Sequence, residues 1–127
     1  MKISGTVVKG MGTGRYFMSI SQYKKQFEKK LGYIPFEGTL NINIAEKDIE
    51  KIEKMKKRPA IIINGFEDEQ IRFWNVDVYP VKIKESKCAV VFPKNNVHPR
   101  NILQIISADY LKKKYGLEEG SEVEIEI

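Results

Sequence analysis

The chain has 127 residues, one cysteine and a net charge of +5. That is the length of one domain, with no possible intrachain disulfide and a bias toward anionic partners such as nucleic acid, nucleotides or phosphates. Its 42% hydrophobic and 31% charged residues exclude a disordered chain. No apolar run reaches the length of a membrane span, and the opening MKISGTVVKG is too short and polar for a secretory signal, so a cytoplasmic setting is expected.

Residues 3–8, ISGTVV, are expected to form a strand. KGMGTGRYF follows, with glycines at 10, 12 and 14. Gly10-Met11-Gly12-Thr13-Gly14 is not the GxGxxG dinucleotide fingerprint. Successive N–H groups without Cβ hindrance can nevertheless form a nest for phosphate oxygens, and Arg15 can add a charge-assisted contact. An ordinary turn between strand and helix is the alternative. The next segment reads as a helix. Ser19 and Gln22 match a capping box, Tyr23, Phe27 and Leu31 share one face, and Gly32 suits the left-handed residue past a helix end. Lys24, Lys25, Lys29 and Lys30 lie off that face and are expected in solvent.

FEGTLNINI, residues 36–44, alternates strictly. Leu40, Ile42 and Ile44 point one way, and Thr39, Asn41 and Asn43 the other. Thr39 and Asn41 sit roughly 6.6 Å apart along the strand. Two neutral oxygen donors suit Mg²⁺, which takes few protein ligands and fills its octahedron with water and substrate phosphates. The solvent face of an edge strand is the competing reading.

Residues 46–57, with Ile49, Ile52 and Met55, read as a short surface helix ended by Pro59. AIIIN, 60–64, is a strand, and Asn64-Gly65 signals a turn. Residues 71–84 make one long strand or two, with Pro80 at a bend or an edge. KCAVVF, 87–92, is a strand with Cys88 as a small core residue. The loop PKNNVHPRN carries Lys94, His98 and Arg100, which can line a pocket or sit at the surface. ILQIIS, 102–107, is a strand. Residues 108–115 are a helix with Ser107 as N-cap and Gly116 past its end, and SEVEIEI closes as a strand. Tyr16, Phe17, Phe73 and Tyr79 are core or stacking residues, while Trp74, between apolar positions, is expected to pack. One histidine argues against catalytic zinc, and no nucleophile motif is present. Many short strands with brief helices indicate a mainly β fold, a small closed barrel with short inserted helices, as one domain over 1–127.

Taken together and in order, these segments carry more than any one of them. Gly-Met-Gly-Thr-Gly-Arg-Tyr-Phe (10–17), Tyr-Ile-Pro-Phe-Glu-Gly-Thr-Leu-Asn (33–41), Val-Phe-Pro-Lys (91–94), Ile-Leu-Gln-Ile-Ile (102–106) and Tyr-Gly-Leu-Glu-Glu-Gly-Ser-Glu-Val (115–123) resemble the archaeal CTP-dependent riboflavin kinases over nearly the whole chain. The resemblance implies a six-stranded cradle-loop barrel. It implies transfer of the γ-phosphoryl of CTP to riboflavin, giving FMN and CDP, by a cytoplasmic monomer with no membrane or nucleic-acid partner. It assigns the nucleotide to Gly10, Met11, Gly12, Thr13, Gly14 and Arg15 and to Asp109, Tyr110, Leu111 and Lys112. One Mg²⁺, arriving with the nucleotide, falls to Thr39 and Asn41, and the flavin to Asn96 and Gln104. Tyr16 and Phe17 are then expected to anchor the glycine segment to the barrel. The sequence departs from the family pattern where Asn96 replaces the usual threonine, Gln104 the usual glutamate and Ala108 the usual proline. Asn and Gln keep hydrogen-bonding capacity, but the charge of the glutamate is lost. Glu37, beside Thr-Leu-Asn, is the candidate for taking the hydroxyl proton. Two rival readings stand: a small-barrel nucleic-acid-binding regulator, suggested by LKKKYGLEEGSEVEIEI and the net charge, and a flavin- or nucleotide-binding homologue without kinase activity.

Overall fold

A computed structural model of the chain describes residues 1–10, 13–69, 71–94 and 99–127. The elements run β1 (Lys2–Val8), α1 (Thr13–Ser19), α2 (Ser21–Leu31), β2 (Leu40–Ile44), a 3₁₀ turn (Glu46–Asp48), α3 (Ile49–Met55), β3 (Ile61–Ile63), β4 (Phe66–Asp68), β5 (Ile71–Phe73), β6 (Val76–Ile83), β7 (Ser86–Pro93), β8 (Ile102–Ser107), α4 (Leu111–Lys114) and β9 (Glu122–Glu126).

Six strands close on themselves in the order β6-β7-β8-β2-β1-β9 and back to β6, every pairing antiparallel. This is the expected small barrel. Strict alternation produces it, because every second side chain turns inward. Ile3, Val7, Leu40, Ile42, Ile44, Val81, Ile83, Val90, Leu103, Ile105, Val123 and Ile125 fill the interior with Cys88. Burial pushes the Cys88 thiol up from its usual range, which makes it an inert core residue.

A second core lies outside the barrel wall. Tyr23 and Phe27 of α2 and Met18 of α1 cover Val76, Val78, Ala89, Val91 and Ile106. Both faces of β6, β7 and β8 are therefore buried in part, and KCAVVF and ILQIIS read as near-continuous apolar runs for that reason. Gly32 and Gly116 adopt the left-handed backbone expected past helix ends, with φ of 85° and 61°.

Several local expectations are corrected. The chain is already helical from Thr13, so Gly14 and Arg15 belong to α1 and not to a loop. Ser19 ends that helix and gives its hydroxyl to Tyr16 O. The cap of α2 is Ile20, without a side-chain bond, so no capping box forms. The last helix shrinks to Leu111–Lys114 behind Tyr110, because Ser107 is the final residue of β8. Asn64-Gly65 does not reverse the chain. The reversal falls between Asp68 and Ile71, where Glu69 has φ 52°, and creates the unforeseen hairpin β4–β5.

Residues 71–84 split into β5 and β6. Pro80 sits inside β6, opposite Ala89 of β7. On its other side β3 pairs only as far as Val78 and β9 only at Lys82. Pro80 thus falls where β6 has no second neighbour and no ladder bond is lost. Trp74 does not pack. It is 39% exposed, with the Arg72 guanidinium over its ring.

Candidate active site

One cleft collects most of the residues singled out above. It has a volume of about 290 Å³ and opens between the start of α1, the segment before β2, the outer face of β2 and β8, and the segment entering α4. Gly10, Gly14, Arg15, Glu37, Thr39, Asn41, Gln104 and Asp109 through Lys112 all line it. Met11, Gly12, Asn96 and His98 lie outside the described residues, as does the side chain of Thr13.

The floor is the polar face of the strand pair. Asn41 and Gln104 stand directly opposite each other across β2 and β8, only 8% and 9% exposed. β2 is flanked on both sides, by β1 and β8. The edge-strand reading of Thr39 and Asn41 therefore fails, and a buried amide on this face needs polar company. Thr39 Oγ1 donates to Asn41 Oδ1 at 3.4 Å.

The glycines fit over this floor. A Cβ on Gly10 would overlap Asn41 Nδ2, and one on Gly14 would overlap Thr39 Oγ1 and Cγ2. Neither residue has positive φ. What these positions demand is missing volume, so that the start of α1 can lie against Thr39 and Asn41. Tyr16 does not anchor this segment, being 60% exposed. Phe17 does, stacked on Tyr23 with ring centroids 4.6 Å apart.

The cleft is cationic. Lys9, Arg15 and Lys112 line it and make no ion pair among the described residues. Both carboxylates on its wall are compensated. Glu37 pairs with Lys24 of α2, so that lysine is not simply solvated. Asp109 accepts from Lys114 Nζ at 2.8 Å and from Ser86 Oγ at 3.1 Å. Those two bonds hold the Asp109 carboxyl below its ordinary range, and Asp109 in turn raises Lys114. The balance favours a polyanion.

Thr39 Oγ1 and Asn41 Oδ1 are the oxygen donors available to a cation at this floor. Their 3.4 Å separation is close to the edge of about 2.9 Å in a Mg²⁺ octahedron. Among the described residues no group of three or more His, Cys, Asp or Glu could hold a metal. Two neutral oxygens are a donor set that suits a divalent cation bringing most of its own ligands.

The remaining loop candidates point elsewhere. Lys94 pairs with Asp77 at 2.7 Å, and Arg100 with Glu53 at 3.3 Å. The sequence reading gave Ser107 only as a helix cap, whereas its carbonyl accepts from Phe36 N at 2.7 Å and its hydroxyl from Asp109 N at 3.2 Å. One residue thereby ties both walls of the cleft together. Its sequence signal was that of a cap and not of a cleft residue. No helix among the described residues is long and apolar enough to cross a membrane.

Known proteins resemble the chain along nearly its whole length. Curated relatives named riboflavin kinase share 38% identity over 98% of the chain in Thermoplasma acidophilum, 38% over 100% in Archaeoglobus fulgidus and 34% over 97% in Methanosarcina acetivorans. The chain spans 56%, 54% and 52% of those proteins, about half of their length. The family model CTP-dep_RFKase, described as domain of unknown function DUF120, matches residues 7–127, and the chain belongs to that family.

Proposed function

We propose that this barrel is a CTP-dependent riboflavin kinase. It transfers the γ-phosphoryl of CTP to the 5′-hydroxyl of the ribityl chain, giving FMN and CDP. One observation carries the reading: a single cationic cleft unites Gly10, Gly14 and Arg15, the Thr39–Asn41 pair, Gln104 and the segment from Asp109 to Lys112. The names of the relatives and of the family supply the substrate and the donor.

Phosphoryl transfer asks a protein mainly for positioning and charge neutralisation, and this cleft is built from those two things. Lys9, Arg15 and Lys112 attract and hold the polyphosphate. Gly10 and Gly14, without side chains, let the start of α1 lie on Asn41 and Thr39, so that its backbone and the strand floor face the same polyphosphate. Thr39 and Asn41 would hold a Mg²⁺ arriving with the nucleotide, which supplies neutralisation of charge on the phosphates. Gln104, beside Asn41, offers an amide to the flavin, and Asn96 is assigned to the same substrate. The ribityl oxygen forms its bond to the γ-phosphorus as the bridging bond to CDP breaks, and the hydroxyl proton leaves. Of the two carboxylates on the wall, Asp109 is tied by two partners. Glu37 has one, at the rim, and is the group we assign to that proton.

The test incubates the protein with riboflavin, Mg²⁺ and, separately, CTP, ATP, GTP or UTP, and resolves FMN by chromatography. FMN with CTP alone is expected. FMN with several nucleotides would retain the kinase and remove the CTP restriction. Absence of FMN with all four, on folded protein, would overturn the reading.

A further inference from the structure

The segment from Asp109 to Lys112 lines the cleft, yet it carries a carboxylate that would repel a polyphosphate. The structure ties that charge to Ser86 and Lys114, neither of which lines the cleft. Ser86 is the first residue of β7, at the turn from β6, and is 2% exposed. Its hydroxyl meets three groups: Asp109 Oδ2 at 3.1 Å, Tyr115 OH at 2.6 Å and Lys114 Nζ at 3.1 Å. A serine hydroxyl has one proton to give and two lone pairs to accept with. Donation to Asp109 with acceptance from Tyr115 and Lys114 uses all three. The Asp109 carboxylate also takes the Lys114 ammonium at 2.8 Å. One residue further along, Ser107 Oγ donates to Lys87 O at 3.0 Å. The first two residues of β7 therefore hold Asp109 and, just before it, Ser107.

We infer that Ser86 and Lys114 are positioning residues for the nucleotide, which turn the Asp109 carboxylate out of the cleft and fix the path of the backbone from Asp109 to Lys112. This rests on the kinase reading of the same cleft. Neither side chain lines the cleft, so neither touches substrate. Their effect on the cleft passes through Asp109, which both of them bond. Loss of the Lys114 ammonium leaves a carboxylate with one neutral donor, free to rotate toward the phosphates. Loss of the Ser86 hydroxyl removes the group that bonds both Asp109 and Tyr115.

The experiment compares steady-state kinetics and CTP-induced thermal shifts of the wild type with Lys114→Met, Lys114→Arg, Ser86→Ala and Lys113→Met. Lys113 is an exposed neighbour on the same helix, and its replacement removes the same charge without touching Asp109. Lys114→Met and Ser86→Ala are expected to raise the KM for CTP about tenfold, the scale of a hydrogen bond to a charged group. The CTP-induced thermal shift should shrink in step, with kcat and the KM for riboflavin unchanged. Lys114→Arg should restore the wild-type value, and Lys113→Met should keep it. Equal rises for Lys113→Met and Lys114→Met would reduce the effect to bulk charge and overturn the inference, as would a wild-type KM in Ser86→Ala and Lys114→Met. Should Ser86→Ala fail to fold, the exposed Lys114 series decides alone. Failure of the kinase reading shows separately, as wild-type protein that neither turns over nor is stabilised by CTP, and then both proposals fall.

Discussion

Gly14 lies against Thr39 so closely that a methyl group on the glycine would occupy the space of the threonine side chain. This contact sets two effects in opposition. Gly14 is inside α1, where alanine is preferred by about 1 kcal/mol. Overpacking at a filled site costs about 1–3 kcal/mol. Gly14→Ala is therefore expected to destabilise the wild type by about 1 kcal/mol, the difference between those terms. In a Thr39→Ala background the same change should stabilise. Urea denaturation of the four proteins in the cycle reads the coupling, and additivity within error would show that the two residues do not meet.

Thr39→Ala and Asn41→Ala should each raise the Mg²⁺ concentration for half-maximal rate by about 10- to 100-fold. The KM for riboflavin should move far less. A Mg²⁺ titration at saturating CTP separates these quantities, and an unshifted midpoint in both variants would remove the metal from this pair.

Gln104 stands opposite Asn41, at a position where the resemblance drawn from the sequence implies a glutamate. Gln104→Glu adds a charged acceptor, and charge-assisted bonds are roughly twice as strong as neutral ones. The KM for riboflavin is expected to fall, and the KM for CTP to rise slightly because a negative charge joins a cleft that holds phosphates. Flavin fluorescence quenching gives the affinity directly. Unchanged riboflavin affinity would place the flavin elsewhere.

For Glu37, replacement by glutamine should lower kcat by about 10²-fold or more, as expected on losing a general base. Lys24→Met, which removes only its partner, should leave kcat within about threefold, since exposed ion pairs contribute little. Full turnover in Glu37→Gln would mean that the hydroxyl loses its proton without this carboxylate.

Alkaline titration tests the second core. Burial pushes the phenol of Tyr23 up to about 12, and that of Tyr33 likewise, with Cys88 adding to the second. A group whose pKa is raised on folding keeps its proton where the unfolded chain has lost it. These tyrosines thus contribute stability that is whole below pH 10 and declines as pH rises toward 12. Tm should fall through that window. Tyr23→Phe should flatten the decline, although it also removes the bond from Tyr23 OH to Trp74 O. A pH-independent Tm between 10 and 12 would refute the assignment.

The strands were readable because their neighbours are regular. Leu40, Ile42 and Ile44 alternate with polar residues, and Val123 and Ile125 do the same, so period and burial agree. Local chemistry misled where a more distant contact decides. Ser19 has the residues of a capping box, but its hydroxyl goes to Tyr16 O because α1 runs up to it. Ser107 looks like a helix cap and is held instead in β8 by Lys87 O. Trp74 reads as core and lies outside, with Arg72 on its ring. For the cleft, most of the residues that line it were legible and the reason for the glycines was not. Two glycines before a helix suggest flexible backbone, whereas the structure uses their missing side chains against Thr39 and Asn41. The positioning role inferred for Ser86 had no local signal, because its partners are 23 to 29 residues away.

The ring of strands is not equally strong all the way round. β6 and β9 meet through one residue pair, Lys82 with Glu126, while the other seams run over four pairs or more. Counted around the barrel, the seam opposite that clasp is the one between β2 and β8, where Asn41 faces Gln104. A bracelet opens at its clasp. Breathing of the wall will concentrate at the β6–β9 seam, and hydrogen exchange should run fastest there. The strand pair under the cleft works as the fixed jaw, and the geometry it holds survives the loosening of the closure.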